Sequence, residues 1–210
     1  MKKKKITKII ITILVIIALV IVIIKIMSGK KEDVKRLENL YNELNTSQTY
    51  LFEMQESDED KTIMAKKGDK TIIDDYTEDS HTTTIVKDNN TYLVLHDREE
   101  YYVYEQNNVE QSILTDGLQE IVTKEFVTGT EKVKGKKYSY EEYQGSTMFM
   151  ESSSLDVNEE DVKTRFYFDN EDNLVYIRTI KGVNQELLKI DIQNEVDDSI
   201  FEVPSHYAEN

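Results

Sequence analysis

The spacing of apolar positions along this chain changes twice. From Ile9 to Ile24 the run is almost wholly apolar, with Thr12 its one polar residue. Sixteen residues at about 1.5 Å rise span about 24 Å, against a hydrocarbon core about 30 Å thick. Extension to Met27 nearly closes the gap, because the Lys25 ammonium can reach the interface along its aliphatic stem. From Glu32 to Leu44 the period is helical: Val34, Leu37, Tyr41 and Leu44 fall on one stripe, with Leu40 beside it. Glu32 and Asp33 lie where acids favour the helix dipole. From Gln48 the period is two.

The alternating stretches are "QTYLFEMQES", "KTIMAKKGDKTIIDDY", "HTTTIVKDNNTYLVLHD" and "EEYYVYEQN", rich in Thr, Tyr, Ile and Val. Gly68-Asp69 and Asp88-Asn89-Asn90 punctuate them, so the first half predicts a meander of about six strands. "NVEQSILTDGLQEIVTKEF" interrupts it. Asn108 is a candidate N-cap, and Val109, Ile113, Leu118 and Ile121 or Val122 form a helical stripe. Gly117 weakens its middle by about 1 kcal/mol, so a kink or two short helices are both open. Strands then return: "EFVTGTEKVKGKKYSYEEY" turning at Lys134-Gly135, "TMFMESS", a polar loop from Leu155 to Asp161, then "KTRFYF", "LVYIRTI" and "QELLKIDIQNEV".

Asp169-Asn170-Glu171-Asp172-Asn173 invites reading as a cation site. Register argues for a turn. With Asn170 opposite Asn173, Phe168 faces Val175, Phe166 faces Ile177 and Thr164 faces Thr179, while Tyr167 and Tyr176 meet on the other face. An EF-hand loop begun at Asp169 would need glycine and glutamate where Leu174 and Ile180 stand. Asp58-Glu59-Asp60 and Asp74-Asp75 read as solvated strand ends.

Charge divides the chain. The first 31 residues carry eight lysines and no acid, so 18 of the 26 basic and all 41 acidic residues fall in 32–210, a net charge of −23. That field repels nucleic acid and anionic lipid and suits a basic partner. The expected organisation is a basic N-terminus and membrane anchor at 1–31, with Ile9, Ile13, Ile16, Leu19, Ile23 and Ile24 facing lipid, and an exported domain at 32–210. A cleaved signal peptide competes with this reading, but "IMSGK" is a poor cleavage site. Five lysines before the apolar run favour an N-terminus inside, in a single-pass protein of the cell membrane. The absence of cysteine excludes disulfides, thiol catalysis, Cys-based metal sites and a lipobox.

There is no G-x-G-x-x-G, P-loop, G-x-S-x-G or H-E-x-x-H, and His81, His96 and His206 are far apart in sequence. The expectation is a protein without catalytic residues, cofactor or metal. "EEYYVYEQ" offers Tyr101, Tyr102 and Tyr104, which alternate over both sheet faces, as a candidate partner surface, since exposed tyrosines pair an apolar ring with a polar tip.

Three segments, "TGTEKVKGKKYSYEEY" (Thr128 to Tyr143), "KTRFYFDNEDNLVYIRT" and "DDSIFEVPSHY", resemble the LolA/LppX-like superfamily of envelope lipoproteins, and within it the clostridial germination-lipoprotein-related branch. The resemblance covers roughly 32–207. It implies an α+β fold, a curved, incompletely closed antiparallel sheet packed on a few helices. It implies two ligand classes: an envelope partner protein such as a cell-wall hydrolase, docked or regulated, or the acyl chains of lipids and lipoproteins, carried or sensed. With no lipobox cysteine, a transmembrane helix would replace the lipid as anchor.

Overall fold

The structure, a computed structural model, describes residues 35–105, 113–145 and 161–210. The anchor residues Ile9 to Ile24 lie outside these, as do Val34, Asn108, Val109 and "TMFMESS". Among the described residues no helix is long and apolar enough to cross a membrane. Arg36–Asn210 form one compact unit.

A single open, curved sheet organises that unit. Its strands are β1 (Thr49–Gln55), β2 (Lys61–Lys67), β3 (Lys70–Tyr76), β4 (His81–Lys87), β5 (Asn90–Leu95), β6 (Glu100–Glu105), β7 (Phe126–Val133), β8 (Lys136–Gln144), β9 (Val162–Phe168), β10 (Leu174–Lys181), β11 (Asn184–Gln193) and β12 (Ala208–Glu209). Their order is β12-β6-β5-β4-β3-β2-β1-β11-β10-β9-β8-β7. Among the described strands, β12 alone runs parallel to its neighbour. The two meanders expected from the alternation are therefore joined in the middle, by β1 pairing with β11. Tight turns have the chemistry their backbones need. Lys134 and Gly135 both take positive φ (48° and 85°), as do Asp88 and Asn89 (53° and 61°), the form whose twist suits two-residue hairpins.

Helix α1 (Arg36–Thr46) and helix α2 (Ile113–Val122) lie over one face. Leu37 and Leu44 of α1 and Leu114, Leu118 and Ile121 of α2 pack on Phe52, Tyr143, Phe166, Ile177 and Ile190. Each such side chain contributes about 1.5–3 kcal/mol on leaving water. Gly117 sits inside α2, which is one continuous helix over its described span. On the reverse face, reached by Leu51 next to Phe52, a second core gathers Ala65, Ile72, Ile85 and Val94 under Val196 and Phe201 of the C-terminal segment. Lys67 ties that segment to β2, donating to the Val196 carbonyl (3.0 Å) and the Asp198 carboxylate (2.7 Å). A third cluster, Val133, Tyr138 and Tyr167, occupies the reverse face near β7 to β10.

One buried charge holds α1 in place. Glu141 is fully buried and accepts from the Arg36 amide (2.7 Å), the Leu37 amide (3.2 Å) and the Tyr143 hydroxyl (2.9 Å). The first two are helix N-terminal amides with no partner inside the helix, so a side chain from β8 caps the helix from across the fold.

The β9–β10 hairpin departs from the expected register at its tip. Phe166–Ile177, Thr164–Thr179 and Tyr167–Tyr176 pair as anticipated, but Phe168 faces Leu174, not Val175. The loop is one residue longer than a two-residue turn. Asp169 pairs with Asn173 (amide to carbonyl, 3.0 Å), and Asp172 takes φ 63°. A bulge between Leu174 and Tyr176 absorbs the extra residue and places Leu174 in the core.

Candidate functional site

The acidic cluster at that tip is occupied with its own backbone. The Asp169 carboxylate accepts from the Glu171 amide (2.9 Å), the Asn173 amide (3.0 Å) and the Asn173 side chain (3.2 Å). These bonds outweigh burial and hold its pKa below the usual carboxylate range. Asp172 accepts from Arg36 Nε at 2.5 Å. Asp60 accepts from the Ser57 hydroxyl and the Glu78 amide, joining two loops.

The three tyrosines of β6 do not share a surface. Tyr101 pairs with Val94 and packs against the second core; its hydroxyl donates to Glu209 at 3.2 Å. Desolvation, then Glu209, pushes its pKa up. Tyr102 and Tyr104 point to the opposite face, where Tyr104 is 49% exposed.

Two polar constellations occur on the reverse face. The first is a groove of about 450 Å³ lined in part by Glu131, Lys163, Arg165 and Arg178. Glu131 accepts from Arg165 (2.8 Å), Arg178 (2.6 Å) and the Tyr167 hydroxyl (2.7 Å). Glu142 accepts from Arg165 Nε (2.6 Å) and Lys163 (3.3 Å). Burial raises the pKa of both carboxylates, but their donors win and hold them below the ordinary range. The guanidinium groups are thus engaged by carboxylates, and the groove presents a balanced network.

The second constellation gathers two of the dispersed histidines. Antiparallel pairing sets Asp74 opposite Thr83 and Tyr76 opposite His81. It sets Thr82 opposite Leu95, so His96, the next residue, falls beside His81. The rings of His81 and His96 stack with centroids 3.6 Å apart and planes within 5°, and Tyr76 stacks on the other side of His81 at 3.8 Å. Asp74 Oδ1 lies 2.9 Å from His81 Nε2 and accepts from the Thr83 hydroxyl at 2.5 Å. Thr83 Oγ1 lies 2.7 Å from His96 Nε2, and His96 Nδ1 lies 3.0 Å from the Tyr207 hydroxyl. Burial and then the neighbouring His81 lower the His96 pKa, against the pull of Asp74 and Asp97. Burial and Asp74 push Tyr76 up to about 12. Thr83 is 5% exposed, so its hydroxyl is a structural bridge and not a presented nucleophile.

One carboxylate oxygen of Asp74 and one ring nitrogen from each of His81 and His96 lie within 4.8 Å of one another, a spacing that can hold a metal ion. Sequence reasoning passed over this group because its members come from two strands, β3 and β4, and from the 3-10 turn that follows β5. A signal was present: His81 and His96 are equidistant from the Asp88-Asn89 turn, so a regular hairpin must bring them face to face.

No family model matches the chain, and no curated protein matches it. Among solved structures it is similar to an uncharacterized conserved protein from Thermus thermophilus, at 9% identity and a TM-score of 0.48, covering 85% of this chain and 99% of that one. It is also similar to the lipoprotein LppX of Mycobacterium tuberculosis, at 12% identity and a TM-score of 0.44, covering 79% of this chain and 99% of that one. Both likenesses are of fold alone.

Proposed function

We propose that this chain is a non-catalytic binding module of the cell envelope, anchored by its N-terminal apolar run with residues 32–210 outside, that docks or regulates a partner protein. One observation carries the reading. Between the two described helices and the sheet, on the side where a carried acyl chain would lie, Leu118, Phe52, Phe166 and Ile177 pack into one cluster and are each 0% exposed. Recognition then falls to the sheet's outer surfaces and edges. The net charge of −23 in 32–210 suits a basic partner, and such steering weakens as salt screens it beyond about 8 Å. A cell-wall hydrolase is the partner class that the germination-related resemblance implies.

The test is purification of the full chain from membranes at low and high salt, with both proteins and lipids analysed. A co-purifying envelope protein lost at high salt supports docking. A stoichiometric lipid retained at both salts, with no protein partner, overturns it in favour of the carrier. Protease treatment of intact protoplasts checks the orientation. Survival of the 32–210 domain beside an intact cytoplasmic control would mean that it lies inside.

A further inference from the structure

We infer that Asp74, His81 and His96 form a binding site for a divalent transition-metal ion, independently of what the module docks. The donor set decides the ion class. Two imidazole nitrogens and one carboxylate oxygen suit Zn²⁺, Ni²⁺ or Cu²⁺, whereas Ca²⁺ and Mg²⁺ take mainly oxygen. Zinc bonds of about 2.0–2.2 Å in a tetrahedron space the donors about 3.3 Å apart. Asp74 Oδ1 and His81 Nε2 are already 2.9 Å apart, and all three donors lie within 4.8 Å. The interior of β3, the start of β4 and the 3-10 turn after β5 supply them, neighbouring hydrogen-bonded segments that need only side-chain adjustment.

Proton accounting sets what binding requires. The Thr83 hydroxyl has one proton, which goes to the Asp74 carboxylate, so His96 Nε2 donates to Thr83, and in the neutral ring Nδ1 then accepts from Tyr207. A metal needs Nε2 bare. The proton can move to Nδ1, because the Tyr207 hydroxyl can turn from donor to acceptor without losing the bond. An outer partner that fixes the imidazole tautomer is the usual companion of a metal-bound histidine. The parallel rings set one further requirement. An ion cannot lie in both ring planes at once, so one ring must tilt. His96 stays held at Nδ1 by Tyr207, which leaves His81, its side chain 26% exposed, as the ring that turns. A bound ion would then link β3, β4 and the end of β5 to Tyr207, and through it to the strand β12 that follows.

The experiment is a calorimetric titration of zinc sulfate into the full chain in detergent, prepared without a histidine tag. One zinc per chain is expected, with no heat from calcium at the same concentration. Asp74→Asn and His96→Ala should abolish binding, His206→Ala should retain it, and Tyr207→Phe should weaken it about 10–100-fold. Imidazole nitrogen NMR on the unmodified chain gives a reading that does not depend on any variant folding. Zinc should shift His81 and His96 Nε2 together. Absence of zinc binding, equal affinity in a folded His96→Ala chain, or a shift at His206 alone would each overturn the assignment.

Discussion

Replacing Glu141 with glutamine keeps the side chain's shape and removes its charge. In the folded protein both carboxylate oxygens receive donors: Oε1 from the Arg36 amide, Oε2 from the Leu37 amide and the Tyr143 hydroxyl. A glutamine has one acceptor oxygen. Whichever way it sits, its amide nitrogen would face a backbone N–H, that of Arg36 or of Leu37, which has no lone pair to offer. A buried hydrogen bond to a charged group contributes about 1.5–3 kcal/mol, and a carboxylate at a helix N-terminus adds about 0.3–1 kcal/mol, up to about 2 when partly buried. The expected loss is about 2–4 kcal/mol, which for a domain of this size lowers Tm by about 4–16 °C. The loss should be local in origin, so hydrogen exchange at the Arg36 and Leu37 amides should accelerate before exchange in β9 or β10 does. Tyr143→Phe removes one donor and should cost about 0.5–1.5 kcal/mol. The measurement is thermal unfolding with amide exchange on the full chain. A Glu141→Gln protein that melts within about 1 °C of the parent, with unchanged exchange in α1, would refute the capping argument.

Gly129 faces Tyr140 across β7 and β8, and a Cβ there would run into the tyrosine ring. Gly129→Ala should destabilise by about 1–3 kcal/mol, read from urea unfolding, and Tyr140→Ala should remove most of that penalty. Glu131 and Glu142 have folded pKa values below the ordinary 4.5, so the stability they contribute is present above that value and lost as pH falls through their folded pKa. Acid unfolding followed by circular dichroism should therefore be shallower in Glu131→Gln than in the parent; an unchanged acid limb would argue that the network contributes nothing. Val175 forms the bulge, so deleting it should give a regular ladder that keeps Phe168 opposite Leu174 and Tyr167 opposite Tyr176; loss of the Tyr167–Tyr176 contacts in NMR would refute the bulge.

Much of the architecture was legible because alternation is a strong signal when one face is buried. The six strands of the first half, the Gly68-Asp69 and Lys134-Gly135 turns and the stripe Leu37, Tyr41, Leu44 follow from local chemistry. The joining of the two meanders does not: nothing local says that Phe52 pairs with Ile192. The bulge at Val175 was hidden because a three-residue loop and a two-residue turn use the same Asp and Asn residues. The burial of Glu141 was hidden for another reason. Its place between Ser139 and Tyr143 marks the core side of β8, but a glutamate there makes sense only once α1 arrives to supply donors. The His81–His96 pair needed one count about a turn, and Asp74 a second count about the next.

The pairing of β1 with β11 also bears on how the chain reaches this state. Most other ladders close short loops, and hairpins of that kind form fast. Joining Phe52 to Ile192 closes a loop of roughly 140 residues, which costs about 3 kcal/mol more chain entropy than a four-residue hairpin. Until β11 exists, β1 has a partner on one side only, and its open flank of amide and carbonyl groups is competent to pair with any other strand. A polypeptide emerging from its N-terminus exposes that flank for nearly the whole of its synthesis. Safe assembly then depends on how long a half-built sheet can wait, and a holdase that masks an unpaired strand would act first on β1.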